Sequence, residues 1–368
     1  MTVRLLPAWL EKGQMTHMPQ LNPEDIRDRR ADAPKLRDRD LAENLGISEA
    51  ALVAAHVGAE GPRRATALPA HPDILIPAAE RLDEVMALTR NPSAVHEKVG
   101  SYTNYHPGQH AAMVLAEAVD LRIFPSHWVH AFAVETKGES GVQRSLQVFD
   151  AAGDAVHKIF LRNGSDVAAF DAVRTELALA AQSQTLDVVP RAVPEAARIN
   201  VSKIEVLRSE WRRMTDTHQF LRLTSKLKMN RLGAYRVAGA PFVRALATEA
   251  VNTMLHAVRD AGLEIMLFVG NHGCIQIHTG PVGTLAPMGP WQNVMDPDFN
   301  LHLRADRIAE AWAVDKPTQR GPAVSVEAFD AEGQLILQVF GLSKEGRDSR
   351  PAWERIVADL PELVEAAE

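Results

Sequence analysis

The residues best suited to chemistry lie in the second half of the chain, at Asp216-Thr-His-Gln-Phe220. Asp216 followed three residues later by Gln219 is a capping-box spacing, which predicts a helix starting here with His218 in its first turn. The positive end of a helix disfavours an imidazolium, so such a histidine keeps a neutral ring and a lone pair for a metal. On its own the pattern is weak, because most first-turn histidines are capping or surface residues. Its company strengthens it. Phe220 and Leu221 follow directly, and Lys226, Lys228 and Arg231 come a few turns on, a combination suited to an apolar, planar ligand carrying acidic groups.

Two other constellations invite different chemistry. His272-x-Cys274-x3-His278 has donor types for zinc, and alternation along a strand would put all three on one face, but no second cysteine or carboxylate stands nearby. Leu41-Ala-Glu-Asn-Leu-Gly-Ile-Ser-Glu-Ala-Ala-Leu52 has the turn spacing of a helix-turn-helix. The stretch that would read DNA, Ser48 to His56, has no Arg, Lys, Asn or Gln and carries Glu49, so a packed corner of two helices is the better reading and a regulator the remote one.

What must position these residues is a duplicated scaffold. At a fixed offset of 180, residues 120–160 and 300–340 are identical at eleven of forty-one positions, including Phe149-Asp-Ala-x-Gly153 against Phe329-Asp-Ala-x-Gly333. Within each copy, helical spacing gives way to short alternating runs separated by turn signals. Helices are expected near 40–56, 72–89, 166–182, 216–228, 240–261 and 351–364, and strands at 96–105, 111–115, 121–124, 129–135, 145–149 and 155–161 and then at 264–278, 300–303, 309–314, 323–329 and 335–342. The fold class is therefore α+β, an internal duplication of two structural repeats, each a large antiparallel β-sheet with packed helices. The expected divisions are an N-terminal extension at 1–35, a first repeat at 36–185, a linker at 186–204 and a second repeat at 205–368. The first 20 or so residues read as a disordered arm or a misplaced start codon.

Composition sets the outer bounds. A chain of 368 residues with 46% hydrophobic residues can bury two domain-sized cores, and a net charge of -7 argues against general attraction to nucleic acid or anionic membrane. Cys274 is the only cysteine, which excludes an intrachain disulfide, and no signal peptide or membrane-length apolar run is visible, so a cytoplasmic protein without membrane insertion is expected. No flavin or nicotinamide motif is recognisable.

Ala94-Val-His-Glu-Lys98, Asp120-Leu-Arg-Ile-Phe124, Thr215-Asp-Thr-His-Gln-Phe220, Phe268-Val-Gly-Asn-His-Gly-Cys-Ile-Gln-Ile-His-Thr-Gly-Pro281 and Trp291-Gln-Asn-Val-Met-Asp-Pro-Asp-Phe-Asn-Leu-His302 closely resemble the HemS/HmuS/ChuS family of cytoplasmic haem-trafficking and hemin-degrading proteins. The resemblance runs from about Leu36 to Leu342. It implies one haem b, as ligand or substrate, in a cleft drawing on both repeats, with His218 as proximal iron ligand and Arg122 as distal residue beside Phe124. It further implies Arg231 and Lys316 at the haem edge, pairing with propionates, and Phe268 and Gln338 in the pocket. Phe340 stands where some members have a tyrosine, which removes a hydroxyl from the pocket. His96 is a secondary candidate ligand. The copies diverge where this pocket would lie: at the offset of 180, Arg122 faces His302, Phe124 faces Arg304 and Thr136 faces Lys316. Two functions stay open, haem degradation with an external reductase or reductant, and non-catalytic carriage of hemin from the importer's ATPase side to a separate haem oxygenase.

Overall fold

The computed structural model describes residues 21–344 and 346–364. The first half runs α1 (Pro23–Asp32), α2 (Asp38–Leu45), α3 (Glu49–Ala54), β1 (Arg63–Leu68), α4 (Pro72–Glu80), β2 (Val85–Arg90), β3 (Ala94–Gly100), β4 (Tyr105–His106), β5 (Ala112–Leu115), β6 (Asp120–Ile123), β7 (His130–Gly138), β8 (Gly141–Phe149), β9 (Ala155–Leu161) and α5 (Val167–Glu176). The second repeats the order: α6 (Ile204–Arg212), α7 (Gln219–Lys226), α8 (Arg231–Ala238), β10 (Val243–Leu246), α9 (Ala250–Asp260), β11 (Ile265–Gly270), β12 (Cys274–Gly280), β13 (Leu285–Met288), β14 (Trp291–Met295), β15 (Phe299–Arg304), β16 (Glu310–Thr318), β17 (Gly321–Phe329), β18 (Leu335–Gly341) and α10 (Arg350–Ala358). β2, β3, β7, β8 and β9 reappear 180 residues later with the same first and last residue. The duplication therefore covers the helices and the whole meander.

The strands form two nine-stranded antiparallel sheets, ordered β1-β7-β8-β9-β2-β3-β15-β14-β13 and β10-β16-β17-β18-β11-β12-β6-β5-β4. Each sheet thus takes six strands from one half and three from the other. The repeats exchange their β4–β6 and β13–β15 segments, so neither sheet is built from one repeat alone. Pairing of β12 with β6 (Ile275 opposite Arg122) and of β3 with β15 (Val95 opposite His302) makes the two joins.

Alternation assigns the faces. In the second sheet Leu267, Val269, Val326, Leu337 and Val339 turn to one side, where they share a core with Val251, Met254 and Val258 of α9 and Trp353 of α10. The first sheet is backed likewise by α4 and α5 through Leu75, Ile76, Phe170 and Val173. On the other side, α1–α3 and α6–α8 cover one end of each sheet.

Several local expectations need correction. Val85 to Thr89 continues no helix but forms β2, and Val243 to Leu246, expected inside a helix over 240–261, is the edge strand β10. In both places a short strand adjoins a genuine helix, β2 after α4 and β10 before α9, so periodicity merges the two. The run Leu285–Met295 forms the unforeseen strands β13 and β14. Of the expected extension at 1–35, residues 1–20 lie outside the described residues; the rest contains α1, capped by Asn22, whose side chain accepts from the Asp25 amide. The expected linker carries no helix or strand over 186–200, yet it is docked: Val189 donates to Ala151, and the Asn230 side chain bonds Ala196 and Arg198. Between α2 and α3, Gly46 adopts φ 67° as a left-handed cap and Ser48 caps α3. Glu49, Ala50, Leu52 and Val53 are all buried, with Glu49 bonded to Lys158 at 2.5 Å. The would-be reading helix faces its own core.

Candidate functional site

The register of the second sheet brings most of the candidate residues to one face. Glu327 on β17 lies opposite Gln338 on β18, Gln338 opposite Phe268 on β11, Phe268 opposite Ile277 on β12, and Ile277 opposite Asp120 on β6. Opposed residues in an antiparallel pair share a face, as do residues two apart along a strand. Arg122, Phe268, Lys316, Gln338 and Phe340 therefore point the same way, although Arg122 belongs to the first half of the chain. This is the face that α9 and α10 leave free. At its near end α6–α8 pack down through Trp211, Phe220 and Tyr235, with Trp211 Nε1 donating to the Asp315 carbonyl at 2.9 Å. Beyond them Met266, Phe268, Ile275, Gln338, Phe340 and Arg122 form a half-buried strip. Phe268 and Phe340 meet edge to face with ring centres 5.4 Å apart.

His218 is the N-cap residue of α7 rather than a first-turn residue, and the capping box takes a different form. Asp216 Oδ1 accepts from the His218 amide at 2.7 Å and contacts His218 Nδ1 at 2.7 Å, while Gln219 Oε1 accepts from the Thr215 amide at 3.0 Å. The His218 amide first, and its ring second, hold the Asp216 carboxyl below its usual range. An ionised carboxylate can only accept, so Nδ1 donates to it, and in the neutral tautomer this leaves the lone pair on Nε2. A carboxylate orienting a ligand histidine from behind is the common second layer of a metal site. The side chain is 92% exposed. Among the described residues no three His, Cys, Asp or Glu side chains converge on a metal-sized site, so this arrangement fits a metal that arrives with most of its own ligands, as iron in a porphyrin does.

The two cations expected at a ligand's acidic edge are already engaged. Arg231 opens α8 behind the cap residue Asn230, whose side chain accepts from Gly233; a Cβ on Gly233 would stand 2.0 Å from the Arg198 carbonyl, so this approach needs glycine. Arg231 Nη1 donates to Glu327 Oε2 at 2.7 Å, and Lys316 Nζ donates to Glu327 Oε1 at 2.7 Å. Burial pushes the Lys316 ammonium down to about 8, with Glu327 opposing the shift. Glu327 escaped the sequence reading. Its only signal was an acidic residue at a position where alternation demands the same face as Lys316.

Arg122 pairs with Asp120 on its own strand, leaving the guanidinium about one-third exposed. Phe124, just past β6, donates its amide to Gly273 at 3.0 Å beside the β11–β12 turn. His96 is elsewhere: on β3 of the first sheet, fully buried opposite Leu301 of β15, with its ring 5.0 Å from Phe299. His272 occupies the hairpin turn and is exposed, while Cys274 and His278 are buried on β12, so alternation does not align the three.

Comparison with known proteins bears on this face directly. The family described as the haemin-degrading HemS.ChuX domain matches the chain twice, over residues 46–177 and 228–360. The chain belongs to the HemS family. The HemS match in two copies follows the duplication, and relatives match over most of their length. The hemin transport protein HmuS of Yersinia pestis is 37% identical over 332 residues, 90% of this chain and 94% of its own. Holo-PhuS, a heme-binding protein from Pseudomonas aeruginosa, superposes with a TM-score of 0.87 at 39% identity, covering 93% of this chain and 100% of its own. ChuS, described as an E. coli heme oxygenase, gives a TM-score of 0.81 at 33% identity over 91% and 99%. Like the fold, this HemS chain has among its described residues no helix long and apolar enough to cross a membrane.

Proposed function

We propose that this protein binds one hemin against the open face of the second sheet, as the cytoplasmic haem-handling component of a bacterial haem-uptake system, and that iron is released there by haem degradation. The observation that carries the reading is the convergence of Arg122, Phe268, Gln338 and Phe340, from three strands of two half-chains, on one half-buried face, with buried Lys316 at the end covered by α7, the helix that His218 caps. In this reading His218 Nε2 would hold the iron, with Asp216 orienting the ring. The Phe268–Phe340 pair and Phe124 supply apolar contact for the porphyrin plane, Gln338 a polar contact, and the Arg231 end meets the propionates. Haem held there would supply the oxygen chemistry, with electrons from an external donor. Arg122 has donors but no lone pair, so it would hydrogen-bond a small ligand of the haem rather than hold the iron. The descriptions of HmuS, PhuS and ChuS support hemin as ligand. The repeats are taken to span 36–185 and 205–368, joined by 186–204.

A second reading, a carrier that hands hemin to an oxygenase, is favoured by one feature: the 92% exposure of His218, which leaves its ring accessible for ligand exchange. Hemin titration should change the Soret band with an end point of one per chain, and His218→Ala should weaken binding or alter the spectrum. Two equivalents, or no Soret change, would refute the single site. Ascorbate and air, with catalase present, then separate the readings: Soret loss with product release marks degradation, and an intact Soret band with transfer to an apo-oxygenase marks carriage.

A further inference from the structure

Both cations of the pocket answer to Glu327. Its side chain is fully buried, with Oε1 accepting from Lys316 Nζ at 2.7 Å and Ser325 Oγ at 2.9 Å, and Oε2 accepting from Arg231 Nη1 at 2.7 Å. Lys316 Nζ also donates to Tyr235 Oη at 2.9 Å and lies 5.1 Å and 5.2 Å from the ring centres of Phe220 and Tyr235. The ammonium is thus turned into the floor under α7 and α8, with the Lys316 side chain 3% exposed against 22% for Arg231. Only the arginine offers donors to the open face. Burial keeps the Tyr235 hydroxyl protonated, so Lys316, Arg231 and Glu327 together leave a single uncompensated positive charge.

We propose that Glu327 is a positioning residue that withdraws Lys316 from the ligand and sets the charge of the floor at plus one, so that the site selects a ligand presenting one carboxylate to Arg231. This rests on the hemin reading and departs from it in giving Lys316 an indirect role. Its charge is felt through Glu327: without the ammonium, the carboxylate neutralises Arg231 and the attraction for an acid disappears. The groups facing Lys316 are Glu327 from β17, Arg231 and Tyr235 from α8, and Asp315 on its own strand. With the ammonium pushed down to about 8, its proton is lost as pH rises through that value, and affinity for the acid falls with it.

The test measures binding of zinc protoporphyrin and its dimethyl ester by fluorescence, which avoids ionisation of iron-bound water, at pH 7 and pH 9. It compares wild type with Lys316→Met, Lys316→Arg and the double variant Lys316→Met/Glu327→Gln. Lys316→Met should bind the free acid roughly tenfold more weakly with the ester unaffected, and the double variant should recover to within about threefold, since Arg231 alone again supplies plus one. Lys316→Arg should keep the affinity at pH 7 and lose the fall at pH 9, which tests Lys316 as the titrating group even if the methionine variants do not fold. A double variant as weak as Lys316→Met overturns the proposal and returns Lys316 to direct contact, and a fall at pH 9 that persists with arginine overturns it by assigning the fall to another group. If wild type binds neither porphyrin, the hemin reading itself fails.

Discussion

Asp38 and His218 occupy the same place in the two repeats, 180 residues apart, at the entry to α2 and to α7. Asp38 is locked: its carboxylate pairs with Arg63 at 2.6 Å and Arg30 at 3.2 Å, and its side chain is 16% exposed. His218 is open, 92% exposed, with Asp216 behind it. The same contrast runs through the sheets. Where the second repeat has Lys316, Glu327 and Gln338, the first has Thr136, Gln147 and Lys158, and its buried lysine is bonded to Glu49 of α3. One copy spends its charges fastening helices to the sheet. The other also ties Lys316 and Glu327 to Arg231 of α8 but leaves Gln338 half-buried on the uncovered face, so the difference between structural and binding repeat lies in whether the helix-entry residue is tied down.

The sharpest way to break this contrast is to remove both entry residues. Asp38→Ala leaves two arginines without their shared carboxylate and should lower unfolding stability by about 2–4 kcal/mol in denaturant titration while hemin affinity is retained. His218→Ala should do the reverse, leaving stability unchanged within about 0.5 kcal/mol and abolishing the native Soret spectrum. Equal stability losses in both would dissolve the distinction.

A smaller effect separates the repeats by pH. His157 on β9 stands where the second repeat has Leu337; its Nδ1 meets Thr89 Oγ1 at 2.8 Å and its Nε2 meets Tyr102 Oη at 2.5 Å. Burial pushes its pKa from 6.5 down to about 3. The unfolded chain therefore binds the extra proton between these values, and the stability this group contributes is complete above pH 6.5 and lost as pH falls toward 3. Near pH 5 the loss should approach about 1.4 kcal/mol per pH unit, and His157→Leu should flatten that slope while costing about 1–3 kcal/mol at pH 7 through the two stranded hydroxyls. An unchanged acid slope would clear His157 of the role.

The mildest test concerns the residue lent by one repeat to the other's sheet. Arg122 bonds within its own strand, so Arg122→Ala should shift the thermal midpoint by no more than about 1–2 °C. It should nonetheless alter the hemin spectrum and slow turnover or transfer. Wild-type spectra and rates would take Arg122 out of the pocket.

Much of the scaffold was legible because a duplication writes its own alignment: Phe149-Asp150 against Phe329-Asp330 fixes an offset that then holds from α1 to α10. The convergence of Phe268, Gln338 and Phe340 follows from alternation. What stayed hidden is non-local. A fixed offset cannot tell whether β6 pairs with β3 or with β12, since β3 and β12 are copies of each other, and the exchange of three strands is decided by packing across the join. Glu327 was missed for a related reason, because its partners Arg231 and Lys316 lie on a helix and a strand that sequence cannot bring together. His272 was misassigned to a strand because the Asn271 side chain, accepting from the Gly273 and Cys274 amides, builds a turn inside an otherwise continuous β run.

The exchange of strands also dictates when the molecule can finish folding during synthesis. As the first half leaves the ribosome, β3 has no neighbour on its outer side, because β15 lies about 200 residues further along the chain, and β4–β6 have no sheet to join until β12 appears. A nascent chain must therefore carry an unpaired sheet edge and a stranded three-strand segment through most of its translation, the kind of surface on which other chains pair. Completion of the first sheet waits for residue 304, and from that moment the two halves close each other.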